Sequence, residues 1–165
     1  MAFLSDYSRR RKISYFLRTI PKTARILEIG CGSSWVGEYL KQNGCDQYVG
    51  LDLVPPADIV GSIKNWQKLE LKAGSFDYIV AFEVVEHVDC FQECYDLLKP
   101  GGRLLITTPA PKMDSVLRFL EFLGLNQKRT SSHDYLVDLS RVVLFEKKQI
   151  KIIAFLAQWA TFEKI

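Results

Sequence analysis

Ile26-Leu27-Glu28-Ile29-Gly30-Cys31-Gly32-Ser33-Ser34 is the stretch on which the fold turns. Successive side chains of a strand point to opposite faces. Apolar residues at 26, 27 and 29 therefore fit a strand buried on both sides, the condition of a parallel sheet covered by helices. The strand runs into Gly-x-Gly, a tight turn whose backbone can come close to a ligand. A helix-like stretch follows over Trp35–Asn43, with Ser33 or Ser34 placed to cap it and Gly44 to stop it. In an open parallel sheet, ligands bind at the carboxyl ends of the strands.

Working outward, the same alternation continues. Arg25–Ile29, Tyr48–Leu53, Asp58–Val60, Tyr78–Phe82 and Arg103–Thr108 are strand-like. Tyr7–Ile20 and Asp89–Leu98 fit helices, the first closed by Pro21 and the second by Lys99-Pro100-Gly101-Gly102. Ile150–Leu156 and Trp159–Ile165 leave almost no room for a helix between them, so they should pair as an antiparallel hairpin. The expected fold is a Rossmann-like, doubly wound seven-stranded α/β sheet, mostly parallel, in a three-layer α/β/α domain. One domain over residues 1–165 suffices, with an N-terminal helix within 1–24 and an acceptor-side segment over 110–140.

Composition supports a packed domain: 48% apolar and 25% charged residues exclude global disorder. A net charge of +3 is too weak to argue for nucleic acid. The longest apolar run, Ile152–Ala157, is far short of the roughly 20 residues of a spanning helix. MAFLSDYSRRRK lacks the order of a secretory signal. Cys31, Cys45, Cys90 and Cys94 are irregularly spaced, as expected of packed, reduced thiols in a cytoplasmic protein. No structural metal spacing accompanies them.

Asp52 ends the second strand, twenty residues after Gly32. An acid there can accept hydrogen bonds from both ribose hydroxyls, which points to an adenosine-containing cofactor. A dinucleotide loop wants a third glycine where this chain has Trp35. Glu28, two residues before Gly30, would repel a phosphate and suits an ammonium group. A nicotinamide dinucleotide is thus disfavoured. The character required is that of S-adenosylmethionine. The plain structural alternative is an ordinary turn at the glycines and a strand-end cap at Asp52.

Five segments then fall in order: EIGCGSS (28–34), YVGLD (48–52), DIVGS (58–62), SFDYIVAFEVVEHV (75–88) and LLKPGGRLLITTP (97–109). Together they resemble the motifs of the class I S-adenosylmethionine-dependent methyltransferases, in their small-molecule branch. The resemblance implies that Glu28 and the backbones of Gly30, Cys31 and Gly32 hold the methionine end. Asp52 would take the ribose hydroxyls, and Leu53 would pack near the adenine. Ser62 and Ile63 would sit at the adenine edge, and Ala81, Phe82 and Glu83 would line the methyl region. Two departures stand out. Ser34 replaces the loop's third small glycine, and Ser62 stands where an Asp often holds the adenine amino group, implying weaker cofactor binding.

Alignment supplies much of the catalysis of methyl transfer. A base is needed only if the acceptor loses a proton; His87, Glu83 and His133 are the candidates, beside Glu86. Glu83, Glu86 and His87 also resemble the Glu-Glu-His set with which ubiquinone O-methyltransferases and small-RNA 2′-O-methyltransferases hold magnesium or manganese, with His133 as the later histidine of the RNA enzymes. The residues by themselves do not assign a metal site. Asp114 can cap an apolar helix over Ser115–Leu123, a segment that fits core packing, a lid, a dimer contact or a membrane-surface contact. Arg9-Arg10-Arg11-Lys12 reads as a solvated helix face. The expectation is methyl transfer to a small-molecule O, N or C acceptor, releasing S-adenosylhomocysteine, by a monomer or homodimer. A metal-assisted RNA methyltransferase and a silent partner module of the same fold are the alternatives.

Overall fold

The computed structural model describes residues 2–110, 137–154 and 156–165. The helix expected over Ser115–Leu123, and His133, lie outside the described residues.

The chain enters through helix α1 (Ala2–Tyr15) and a 3-10 turn (Leu17–Thr19). Strand β1 (Ile26–Ile29), helix α2 (Trp35–Gln42), β2 (Tyr48–Asp52) and β3 (Ile59–Val60) follow. A 3-10 segment (Ile63–Leu69) leads to β4 (Phe76–Phe82), helix α3 (Phe91–Leu97) and β5 (Leu98–Pro109). A short turn (Leu139–Arg141) precedes β6 (Glu146–Ile153) and β7 (Ala157–Glu163).

The seven strands form one sheet in the order β3-β2-β1-β4-β5-β7-β6. β1 to β5 pair in parallel, and β7 runs antiparallel to both β5 and β6. The Rossmann-like fold and its C-terminal hairpin are as the sequence implied. The hairpin begins four residues earlier than expected, at Glu146. The Pro-Gly-Gly turn differs more. Phe76 pairs with Leu98 and Tyr78 with Arg103, so residues 99–102 loop out as a bulge within β5.

Every residue of β1 is buried. Its side chains divide between two cores. Leu27 and Ile29 join Ile79, Leu97, Leu104 and Phe162 on the α3 face. Ile26 joins Phe16, Val36, Leu40 and Trp159 on the α2 face. Each such burial contributes roughly 2 kcal/mol. All four cysteines are buried thiols packed in these two clusters or beside the glycine loop.

β2 and β3 lie on one side of β1, and β4 on the other. The chain reverses its winding there, which opens a crevice at the carboxyl end of β1.

Candidate active site

The crevice is a cleft of about 510 Å³, lined among others by Gly30, Asp52, Leu53, Ser62, Ile63, Glu83 and His87. Residues from four separate motifs thus converge on one wall. Gly30 has φ +71, and a Cβ there would lie 2.6 Å from Val84 Cγ2. Glycine is therefore required twice over, by the left-handed backbone and by the contact with the β4 turn. At Gly32 (φ +47) a Cβ would lie 4.0 Å from Gly30 O. The residue reaches the site through its N–H, which donates to Asp52 Oδ2 at 2.8 Å.

Asp52 Oδ1 accepts the N–H of Leu53 at 2.7 Å. Oδ1 also accepts the N–H of Val54 at 3.4 Å, so of about four acceptor positions this carboxylate keeps one beyond the N–H groups of its own loop. Beside it Leu53 and Val54 are exposed apolar side chains, at 69% and 61%. Ser62 Oγ accepts the N–H of Lys64 at 3.3 Å and caps the 3-10 segment, leaving its O–H to donate.

At the β4 end the groups are held differently. Glu83 has φ +57, left-handed for a residue with a Cβ. Its Oε1 accepts from Lys12 Nζ at 2.9 Å and from Thr107 Oγ1 at 2.8 Å. Burial works to raise this carboxyl, but the Lys12 charge and the Lys12 and Thr107 hydrogen bonds more than offset it. The result is a carboxyl held below the ordinary range. Glu86 is only 1% exposed and accepts from Thr108 Oγ1 at 2.9 Å. Burial, then the neighbouring Glu83 charge, push it up to about 7. His87 is exposed on the cleft wall, with its N–H donating to Val84 O at 2.9 Å.

Besides Gly32, four expected cofactor residues do not line the cleft. Glu28 is buried and accepts a short hydrogen bond from the Tyr48 hydroxyl. Burial is the main cause that pushes it up to about 8, so it is neutral at neutral pH. Room for the Tyr48 ring comes from Gly37 of α2, where a Cβ would lie 2.5 Å from the ring. Cys31 is buried, its N–H donating to Leu51 O at 3.2 Å. Ala81 is buried in the sheet. Phe82 packs on Phe16 and stacks with Trp35. Ser34 makes no side-chain cap to α2; its backbone is left-handed (φ 58), which turns the hydroxyl away from the helix N–H groups.

Lys12, Thr107, Thr108 and Tyr48 carry roles that the sequence reading missed. Thr107 and Thr108 stood inside a quoted motif but as strand residues. Lys12 stood in the basic run taken as solvated, whereas it is 9% exposed. Its partner is 71 positions away, a separation no local pattern reveals. Among the described residues no group of three His, Cys, Asp or Glu side chains converges as a metal site. Glu83 Oε1 is taken by Lys12 and Glu86 Oε2 by Thr108, so among the described residues Glu83, Glu86 and His87 are not gathered into a Glu-Glu-His donor set.

No described helix is long and apolar enough to cross a membrane. Residues 4–141 match the family model described as a methyltransferase domain. A ubiquinone biosynthesis O-methyltransferase of Nitrosococcus oceani is 33% identical over 133 residues, covering 67% of this chain and 55% of the relative. Its counterpart from Xanthomonas axonopodis is 31% identical over 109 residues, covering 55% of this chain and 45% of the relative. The chain therefore spans about half the length of these curated relatives. Among solved structures, an S-adenosylmethionine dependent methyltransferase from Mesorhizobium loti superposes with TM-score 0.61 at 16% identity, covering 93% of this chain and 97% of that one. A geranyl diphosphate methyltransferase superposes with TM-score 0.67 at 12% identity, covering 96% and 85%. The chain belongs to the methyltransferase-domain family, and its fold and the order of its motifs resemble those of the class I S-adenosylmethionine-dependent methyltransferases.

Proposed function

We propose that the chain transfers a methyl group from S-adenosylmethionine to a small-molecule acceptor and releases S-adenosylhomocysteine. The observation that carries this reading is Asp52, anchored by the glycine loop at 2.8 Å and presenting its remaining acceptor capacity to the cleft.

A cleft of about 510 Å³ has room for one nucleoside-sized ligand. Asp52 would accept the two ribose hydroxyls, the second in place of the long Val54 contact. Leu53 would cover the adenine, with Ser62 and Ile63 at its edge. Asp52 and Glu83 give this wall two carboxyl groups, which suit a cationic ligand and oppose a pyrophosphate. Glu83, on the cleft wall and held ionised by Lys12, suits the ammonium of the methionine end. When bound, S-adenosylmethionine supplies an electrophilic methyl on a sulfonium, whose carbon–sulfur bond breaks as the acceptor bond forms. The protein's share is to align acceptor and donor and to exclude water. For a hydroxyl acceptor, His87 on the cleft wall would take the released proton, with Glu86 one residue before it.

The relatives named for ubiquinone biosynthesis O-methylation support an oxygen acceptor on a small molecule. Calorimetry with S-adenosylhomocysteine, S-adenosylmethionine and NAD tests the cofactor. Binding of both adenosyl ligands without NAD is the expected result, and the reverse pattern rejects the proposal. A screen of small-molecule acceptors, scored by S-adenosylhomocysteine release, then reads the acceptor class.

A further inference from the structure

A glutamate in the left-handed region is held against its own backbone preference, because the Cβ penalises that conformation. Glycine would adopt the Glu83 backbone freely; glutamate needs an external hold. Glu83 has one on each side. Its N–H donates to Thr107 O at 2.8 Å. Its carboxylate takes the Lys12 ammonium and the Thr107 hydroxyl. The next residue is Val84, the side chain that fills the space over Gly30.

Lys12 is firmly seated. Its side chain is 11% exposed, and its ammonium lies 5.2 Å from the centre of the Phe82 ring. Further along the same helix, the Tyr15 ring packs 5.3 Å from Trp159 of β7. The Arg9 guanidinium lies 5.7 Å over Trp35 of α2. α1 therefore spans three elements and brings one cation to the carboxyl end of β4.

We propose that Lys12 is a positioning residue of the cleft: its ion pair from α1 fixes the left-handed turn at Glu83, and that turn seats Val84 against Gly30 to complete the cleft floor. The proposal rests on the cofactor reading above for its consequence in binding, but its structural half is independent of any ligand. It explains why an acid sits where glycine would be conformationally easier. It also gives the last lysine of the basic run a role distinct from its exposed neighbours Arg10 and Arg11.

The test uses Lys12→Met, Lys12→Arg, Glu83→Gln and the Lys12→Met/Glu83→Gln double variant. Amide exchange is measured without ligand at Glu83, His87 and Val88, whose N–H groups close this turn. Lys12→Met should speed that exchange and weaken S-adenosylhomocysteine binding, each about 10-fold, the scale of one partly buried ion pair. Lys12→Arg should restore both to within about threefold, since it returns the charge. In the Glu83→Gln background, Lys12→Met should add less than about twofold, because the coupling is already lost. Unchanged exchange in Lys12→Met, or a full additional loss in the double variant, overturns the proposal. Should Lys12→Met fail to fold, the near-isosteric Glu83→Gln decides the matter: exchange at wild-type rates then overturns it. A wild-type protein that binds no adenosyl ligand would reject the cofactor reading alone, because the exchange measurement still reports on the turn.

Discussion

At the β2 end of the cleft, Asp52 is held by main-chain N–H groups of Gly32 and Leu53. At the β4 end, Glu83 and Glu86 are held by side chains of Lys12, Thr107 and Thr108, which arrive from a helix and a neighbouring strand. The first end is local and half-open, so its acid keeps spare acceptor capacity. The second is assembled over long sequence separations and is partly dry, so its acids spend part of their capacity on the protein and their protonation is set by it. A carboxyl group near a ligand is thus two different objects, according to whether backbone or side chains hold it.

The two ends meet at Gly30, and disturbing that contact should have the largest effect. Gly30→Ala puts a Cβ into a left-handed backbone and 2.6 Å from Val84 Cγ2. The two penalties together amount to about 3 to 4 kcal/mol. Urea denaturation should show that loss, with adenosyl-ligand binding falling alongside. A variant as stable as the wild type would mean that the two ends are not mechanically joined here.

The backbone-built half was legible in the sequence. Glycines, the strand-end Asp52 and the order of the motifs are local signals, and the resemblance they carried gave the fold with its seven strands. The side-chain-built half was not legible. Nothing around Lys12 marks it as the partner of a residue at position 83, and the run Arg9–Lys12 looks uniformly solvated until α1 is seated. Glu28 shows a subtler failure. Its position in the motif suggested a charged contact, but the Tyr48 phenol and the space left by Gly37 draw it into a buried neutral pair. Burial of that kind depends on a facing element and leaves no trace in local spacing.

Protonation sharpens the contrast further. Glu86 is raised to about 7 in the folded protein, so the folded state binds its proton more tightly than the unfolded chain does. Its contribution to stability is complete below the ordinary carboxyl value and is lost as pH rises through about 7. Glu28, raised to about 8, acts with the same sign and extends the window upward. The carboxyls held low, Asp77, Glu83 and Glu163, change charge below this window. Stability should therefore decline between pH 5 and pH 8.5, with a contribution on the order of 3 kcal/mol from Glu86. Glu86→Gln cannot ionise and should flatten that part of the curve. Denaturation midpoints compared at pH 5.5 and pH 8 check it, and an equal decline in both proteins removes the dry half of the comparison.

Asp52→Ala tests the other end by itself. The N–H groups of Gly32 and Leu53 lie in an exposed loop and can turn to water, so folding stability should fall by less than about 1 kcal/mol. The ligand has no such substitute. Losing a charged acceptor for two hydroxyls should weaken S-adenosylhomocysteine binding about 100-fold. Calorimetry reads the affinity and a thermal melt the stability. A loss under about fivefold would place the ribose contacts elsewhere.

The smallest effect is expected from a gain. Ser62 caps the 3-10 segment by accepting the Lys64 N–H at 3.3 Å while lining the cleft. Asp is at least as good a helix cap as Ser, so Ser62→Asp keeps the structural bond and adds a second oxygen on the cleft wall, where the adenine edge is proposed to lie. S-adenosylhomocysteine affinity should rise about threefold, close to the worth of one exposed hydrogen bond, with little change in melting temperature. The same isothermal titration measures it. Tighter binding would show that the backbone-held end can be tuned one side chain at a time, because its groups answer to the loop and not to one another. At the other end, replacing Glu83 or Lys12 disturbs a shared set of partners, and single changes there cannot be read as separate contributions.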